Sequence, residues 1–418
     1  MHILFTAYEF VTERRPCGGC GNYLANIATV LSQHNHKVTI LLLSDHNGEI
    51  EWKKNVRIVA FKYEYVNSVL DIDELIHLTL NVDTSEYVNK SLAFHKKIQE
   101  IHKRDKIDII QHNGDHLECW HRCWNIPTVV RLSSFTPWCK QAYNPRSDMK
   151  DLSWLDTWDT RLFLYPLRKA DAVYSPSNCV ARFVNSKLSN KVNVIESPFM
   201  PEKQQEIRVS MPQLEGKKYL LFFGRLCVLK GINIIISSIH QILKENQDFY
   251  FVFAGNPEQK GMVNRILNAA DEFKERVIIL GEIKDKTLMQ SIIKESYACV
   301  LPSRADNLSN SCIEAMGLGK IVIGTYGASF EQLIQNKKNG LLIKRDSSAA
   351  LMKAIRYLNS MTYEMRKEME EHAIERIKKM QPELIYEKVI GLYEEVIYSK
   401  KHRLKILTWE FCPQSYCC

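Results

Sequence analysis

Short apolar runs recur along this chain, and between them apolar residues return every three or four positions. In the first half, Ile3–Thr6, Val38–Leu43, Val56–Ala60, Ile107–Ile110, Thr128–Leu132, Ala172–Ser175 and Val192–Ile195 read as strands. In the second half the strands are Tyr219–Phe223, Phe249–Ala254, Val277–Leu280, Ala298–Leu301, Ile321–Gly324 and Leu341–Ile343. Near-continuous apolar runs suit strands buried on both faces of a parallel sheet. Leu24, Ile27, Ala28 and Leu31 fall on one helical face, and Ile232, Ile235, Ile236, Ile239 and Leu243 do much the same. Strand–helix alternation of this kind predicts an α/β protein with parallel sheets.

The polar stretch Pro201–Lys218 reads as a linker between two such series. The expected architecture is two doubly wound, Rossmann-like domains, 1–200 and 201–380. Such domains bind ligands beyond the carboxyl ends of their strands, which places the site in the crevice between them. A helix over 381–399 is expected to pack back on the first domain. The segment 400–418 lacks clear periodicity and reads as a loose tail.

Composition narrows the classes. No apolar run approaches the ~18 residues of a membrane span. The chain enters a strand at once, without a signal-peptide layout, so a cytoplasmic protein is expected. Its 12 cysteines then read as free thiols. A net charge of +8 fits an anionic ligand or membrane surface, and no nucleic-acid motif accompanies it.

Two segments carry the chemistry. Phe222-Phe223-Gly224-Arg225-Leu226 ends a strand and leads to Lys230-Gly231. Gly224 permits a tight turn, Arg225 can grip phosphate oxygens in pairs, and Lys230 adds a point charge at the opening of the next helix. Two exposed surface cations are the plain alternative. The second segment runs Leu301-Pro302-Ser303-Arg304-Ala305-Asp306-Asn307-Leu308 and continues to Glu314-Ala315-Met316. With a helix starting near Ser311, Glu314 falls in its first turn and Ser311-x-x-Glu314 fits a capping box. Asp306-Asn307 also fits turn chemistry. Cations beside carboxylates are what a diphosphate and a polyol need.

These segments together resemble family 4 of the retaining GT-B glycosyltransferases, over residues 218–345 above all. Gly224-Arg225-Leu226 with Lys230-Gly231 is similar to the family's phosphate signature. Asp306 to Glu314, with seven residues between, is similar to its two-carboxylate signature. Phe253-Ala254-Gly255, followed by Asn256, and Leu280-Gly281-Glu282 resemble further strand ends on the donor side, and Asn339-Gly340-Leu341-Leu342 resembles another common segment. Gly18-Gly19 resembles the glycine-rich loop near the donor phosphates, and Ala170–Val173 with Ser175-Pro176-Ser177 the last strand-loop of the first domain. The resemblance implies that Arg225 and Lys230 stabilise the leaving nucleotide diphosphate. Glu314 would hold the donor ribose, while Asp306 and the backbone at Asn307-Leu308 hold the transferred sugar. It also implies a metal-independent hexosyl transfer with retention, from a UDP-sugar by family habit, onto a saccharide or lipid-linked acceptor in polysaccharide or glycoconjugate synthesis. The nucleotide sugar is a substrate, and no cofactor is expected. The departing phosphate would take the acceptor's proton.

Two positions depart from the family. Asp306 stands where Glu is usual, one methylene shorter. Ser133 follows Val130-Arg131-Leu132 where a histidine near the donor sugar is frequent. These departures leave open a non-catalytic sugar-nucleotide binder, and the architecture leaves open a sugar-nucleotide epimerase.

Other features have plainer explanations. Cys17-Gly18-Gly19-Cys20 has the form of a redox motif in a fold far larger than thioredoxin's. Gly19-x-Gly21 lacks the third glycine of a dinucleotide fingerprint. His112, His116, Cys119, His121 and Cys123 crowd one stretch without a second paired cluster, so no metal is expected and His112 is placed on the crevice wall. Trp120, Trp124, Trp138, Trp154 and Trp158 read as packing residues, or as an aromatic wall for an acceptor with Trp138 in it. Lys90, Lys96, Lys97, Lys103, Arg104 and Lys106, with Leu92, Ile98 and Ile101, form a basic helix whose alternative role is contact with an anionic membrane. Cys417-Cys418 also has the look of a lipidation site.

Overall fold

The computed structural model describes residues 1–13, 18–63, 82–113, 117–188, 191–200 and 211–410. The strands are β1 (His2–Ala7), β2 (Lys37–Ser44), β3 (Gly48–Lys53), β4 (Val56–Lys62), β5 (Ile109–His112), β6 (Thr128–Arg131), β7 (Ala172–Ser175) and β8 (Asn193–Val194) in the first half. The second half holds β9 (Lys218–Phe223), β10 (Phe249–Ala254), β11 (Val277–Gly281), β12 (Ala298–Val300), β13 (Val322–Thr325) and β14 (Leu341–Ile343).

They form two sheets, ordered β3-β4-β2-β1-β5-β6-β7-β8 and β11-β10-β9-β12-β13-β14. Among the described strands, only the β3–β4 pair is antiparallel. The expected α/β fold with two parallel sheets is present. β3 is an addition to it. Gly48-Glu49-Ile50-Glu51-Trp52-Lys53 is almost wholly exposed, as befits a charged edge strand, and it has no apolar run to betray it.

Leaving aside the antiparallel edge strand β3, each sheet reverses its strand order once, between β1 and β5 and between β9 and β12. Crevices of doubly wound sheets open at such points. The helix Gly19–Gln33 follows β1 and buries Leu24, Ile27, Ala28 and Leu31 as the spacing predicts. The helix expected from Ile232 to Leu243 is broken in two, Ile232–Ile236 and Ile239–Glu245, at Ser237-Ser238. Both hydroxyls back-bond to carbonyls three or four residues earlier, which competes with the helical ladder.

The last helix runs from Pro382 to Glu410, beyond the expected tail boundary. Ile385, Val389, Leu392, Tyr393 and Val396 lie in the core of the first domain. Lys400 is 9% exposed; its ammonium donates to Ile126 O (3.1 Å) and pairs with Asp171 (3.1 Å), which gives that end an anchor that periodicity does not reveal. Cys412, Cys417 and Cys418, and the first half of the expected linker, lie outside the described residues, as do Cys17 and His116. The basic helix spans Val82–Arg104, and Phe94, Ile98 and Ile101 bury its apolar face in the core. That face is therefore not available to a membrane. No described helix is long and apolar enough to cross one.

Candidate active site

The second domain's edge of the crevice is built first from backbone. At the end of β9, Gly224 N–H donates to Ala254 O (2.9 Å), and at the end of β10 Gly255 N–H donates to Gly281 O (2.6 Å). A Cβ on Gly255 would lie 2.0 Å from Gly224 O, and its φ is +142°. A Cβ on Gly231 would lie 1.9 Å from Pro302 O at φ +77°. Only glycine permits both approaches. Lys230 does not open a helix. It ends a 3₁₀ turn, Val228–Lys230, with Gly231 as its left-handed cap. The loop after β12 is thereby pressed against the loop after β9, with Arg304 N–H donating to Leu229 O (2.8 Å).

This packing brings two of the predicted residues into contact. Lys230 Nζ is 2.6 Å from Asp306 Oδ2, a largely buried pair. Arg225 is exposed at the crevice and lies 3.3 Å from Glu258 Oε1, which also accepts the Tyr143 hydroxyl (3.0 Å). Glu258 and Tyr143 escaped the sequence reading because nothing in their local pattern marks them. Asn256 donates to Glu282 (3.0 Å) beside Gly255, as an exposed pair.

The helix carrying Glu314 spans Asn310–Gly317 and is capped by Ser309, which accepts from Cys312 N–H. The capping box with Ser311 is therefore absent, and Glu314 lies in the second turn. Its carboxylate accepts no hydrogen bond from the described residues. Glu314 is exposed to solvent, yet protein atoms crowd around its carboxyl, and that desolvation pushes it up to about 7, against a smaller opposing pull from Lys286. Leu308, buried, takes φ +63°. A branched residue in the left-handed region is strained, and such strain gathers at functional loops.

The facing edge belongs to the first domain. Gly18 caps the first helix, and the Glu9 carboxylate accepts from Gly18 N–H (3.1 Å) and Gly21 N–H (2.9 Å). Asn310 reaches across to Gly19 O (3.3 Å). Asn307 makes firmer contacts, donating to Leu132 O (2.6 Å) and accepting from the Ser177 hydroxyl (2.6 Å). Its side chain is thus used by the other domain, leaving its backbone for a ligand. Arg304 donates to Ala142 O (2.8 Å) and Asn144 O.

Several expectations change here. His112 ends β5 but is 3% exposed and bonded to Thr6 Oγ1 (3.0 Å), so it does not line an open crevice. Burial, and secondarily Arg122, pushes its imidazole down to about 3, so it is neutral. Trp138 is 2% exposed and packs on Phe183, which makes it a core residue and not part of an acceptor wall. Trp120 and Trp154 are buried too, while Trp124 and Trp158 are exposed. Ser133, partly exposed, accepts from Arg131 (2.8 Å). The Cys20 thiol donates to Asn113 O (3.1 Å) and burial pushes it up to about 12, so it is no thiolate nucleophile. Among the described residues, Cys119, His121 and Cys123 form no metal-ligand cluster.

Two family profiles meet end to end on this chain. "Glycosyltransferase Family 4" matches residues 17–199 and "Glycosyl transferases group 1" matches residues 203–376. The chain belongs to the family 4-like GT-B glycosyltransferases. Among similar proteins, the uncharacterized glycosyltransferase YqgM of Bacillus subtilis is 23% identical over 55% of this chain and 63% of its own length. The chain spans less than two thirds of that and other curated glycosyltransferase relatives. Two solved structures share the GT-B fold. Sucrose-phosphate synthase from Thermosynechococcus elongatus superposes with a TM-score of 0.73 at 17% identity, covering 95% of this chain and 99% of that one. Anabaena HepE, solved with UDP and glucose, gives 0.67 at 16% identity, covering 94% and 99%.

Proposed function

We propose that this glycosyltransferase moves a hexosyl unit from a nucleotide-diphosphate sugar, with uridine as the base, onto a saccharide or lipid-linked acceptor. The observation that carries the reading is the Lys230–Asp306 pair where the loops after β9 and β12 are pressed together, with Arg225 exposed on the first loop and Glu314 in the helix after the second, whose Asn310 reaches the first domain's helix N-terminus at Gly19 O. The UDP bound to Anabaena HepE supports the choice of base.

In this reading the diphosphate displaces Glu258 from Arg225 and competes with Asp306 for Lys230. The two cations stabilise charge as it grows on the leaving phosphate, and preorganised groups of this kind need no metal. The bond from the sugar's anomeric carbon to the phosphate oxygen breaks, and the bond to the acceptor oxygen forms on the same face. The acceptor's proton passes to the departing phosphate. Glu314 holds the ribose hydroxyls. Gly18 N–H already serves Glu9, so the phosphates meet Gly19 and the turn beyond it only if Glu9 swings away.

The test is a thermal-shift panel of UDP-, GDP- and ADP-sugars, then product analysis with the best binder. Arg225→Ala and Lys230→Ala should each weaken donor binding by about 1–3 kcal/mol with the fold intact. Unchanged stabilisation by the donor in both variants would remove the diphosphate assignment.

A further inference from the structure

Arg131 closes β6 with only 4% of its surface exposed, and no carboxylate among the described residues pairs with it. Buried guanidinium groups are normally matched by an anion, because leaving the charge uncompensated is costly. Here all its direct company is neutral. One nitrogen donates to Ser133 Oγ (2.8 Å), another to Ser197 Oγ (2.9 Å), and the plane lies 3.5 Å from the Tyr23 ring centre. Nε makes no hydrogen bond.

Hydrogen-bond bookkeeping then bears on Ser133. Its oxygen accepts from a cation, so its own proton turns away from Arg131. The Cys20 thiol, 3.6 Å away, also points its donor at Ser133 Oγ, although its proton has a nearer partner in Asn113 O, and no described group accepts the Ser133 proton. Ser133 is also partly exposed and follows Leu132, whose carbonyl receives Asn307. The hydroxyl therefore offers a proton to the crevice beside the Asp306-Asn307 loop, with a fixed charge behind it. Such a donor favours an ionised acceptor oxygen over a neutral hydroxyl.

We propose that the sugar handled at this edge carries an anionic oxygen, the carboxylate of a uronic acid or a phosphate ester, which accepts from Ser133. Arg131 is a positioning residue that polarises Ser133 and supplies the charge. The placement rests on the nucleotide-sugar reading, and the ligand class on the side chains alone.

Calorimetric titration of the full chain tests it in two arms. The donor arm compares UDP, UDP-glucose and UDP-glucuronate. The acceptor arm compares glucose, glucuronate and glucose 6-phosphate, with and without UDP. In one arm the charged sugar should bind about tenfold more tightly than its neutral partner, and that arm identifies donor or acceptor as the anion's source. Ser133→Ala and Arg131→Met should bring the ratio to about one, with affinity for UDP unchanged. Should Arg131→Met fail to fold, Ser133→Ala decides alone. No preference in either arm, or equal losses for charged and neutral sugars in Ser133→Ala, overturns the proposal. Absence of binding by UDP and its sugars strikes the nucleotide reading instead, and the acceptor arm without UDP still tests the anion preference.

Discussion

The two edges of the crevice have the same topological origin and are built by different means. On the second domain, glycine backbone sets the geometry, through Gly255 against Gly224 O and Gly231 against Pro302 O. Its candidate side chains stand five and eight positions apart in sequence. On the first domain, side chains from distant segments set it. Tyr23 OH meets Tyr174 OH (2.8 Å), Tyr174 donates to Gln111 (2.9 Å), and Gln111 also receives the Tyr393 hydroxyl from 282 positions away. Arg131 rests on Tyr23 above this network. One edge is specified by short segments of chain, whereas the other is specified by assembly.

The largest effect that can break this contrast is at Gly255. Its Cβ would meet backbone, which cannot swing aside, so Gly255→Ala should lose on the order of 5 kcal/mol from dihedral strain and overpacking together. Gly18→Ala is the control. Its φ is −86°, and its Cβ would meet only the far end of Glu9 at 3.0 Å. That substitution should cost under ~1 kcal/mol. Urea unfolding of both variants compares them, and equal losses would erase the distinction between the edges.

Next comes the assembled edge. Tyr393→Ala empties a fully buried site and should cost about 3–5 kcal/mol. Tyr393→Phe keeps the ring and removes one hydrogen bond, at about 1 kcal/mol. If the network positions Arg131, Tyr393→Phe also lowers the charged-to-neutral sugar ratio, measured by the same titrations. A Phe variant that matches the wild type in stability and in that ratio would reduce the network to simple packing.

The contrast explains what was legible. Parallel strands showed as apolar runs because both faces are buried, and Arg225, Lys230, Asp306 and Glu314 stood out as candidates because their spacings are short. The charged edge strand β3 and the anchor at Lys400 were not legible, since neither leaves a periodic trace. His112 and Trp138 were misplaced for a related reason. A strand end and a helix next to a crevice can still turn a side chain inward, and Thr6 and Phe183, from other segments, decide it. Ser309 and Ser311 both stand shortly before Cys312-Ile313, and the backbone takes the earlier as cap, which moves Glu314 out of the first turn.

That shift gives the smallest and most discriminating measurement. A carboxyl raised to about 7 by the crowding of protein atoms around it binds its proton more tightly in the folded chain than in the unfolded one. Between the ordinary glutamate range and about 7 the folded state therefore holds more protons, and stability falls as pH rises through that window. The penalty is complete above it. Glu314→Gln removes the titration, so the variant should match the wild type near pH 5 and exceed it near pH 8. Solvent reaches this side chain, which holds the gain to ~1 kcal/mol or less. Donor binding should change in the opposite sense. The ionised carboxylate is the better acceptor for two ribose hydroxyls, so wild-type affinity should climb through pH 7 while that of Glu314→Gln stays flat and lower. A capping residue would give neither slope, and a stability difference independent of pH would mean that such crowding does not govern this carboxyl. Opposed slopes in stability and affinity would identify Glu314 as a residue held at a cost to the fold and repaid by the ligand.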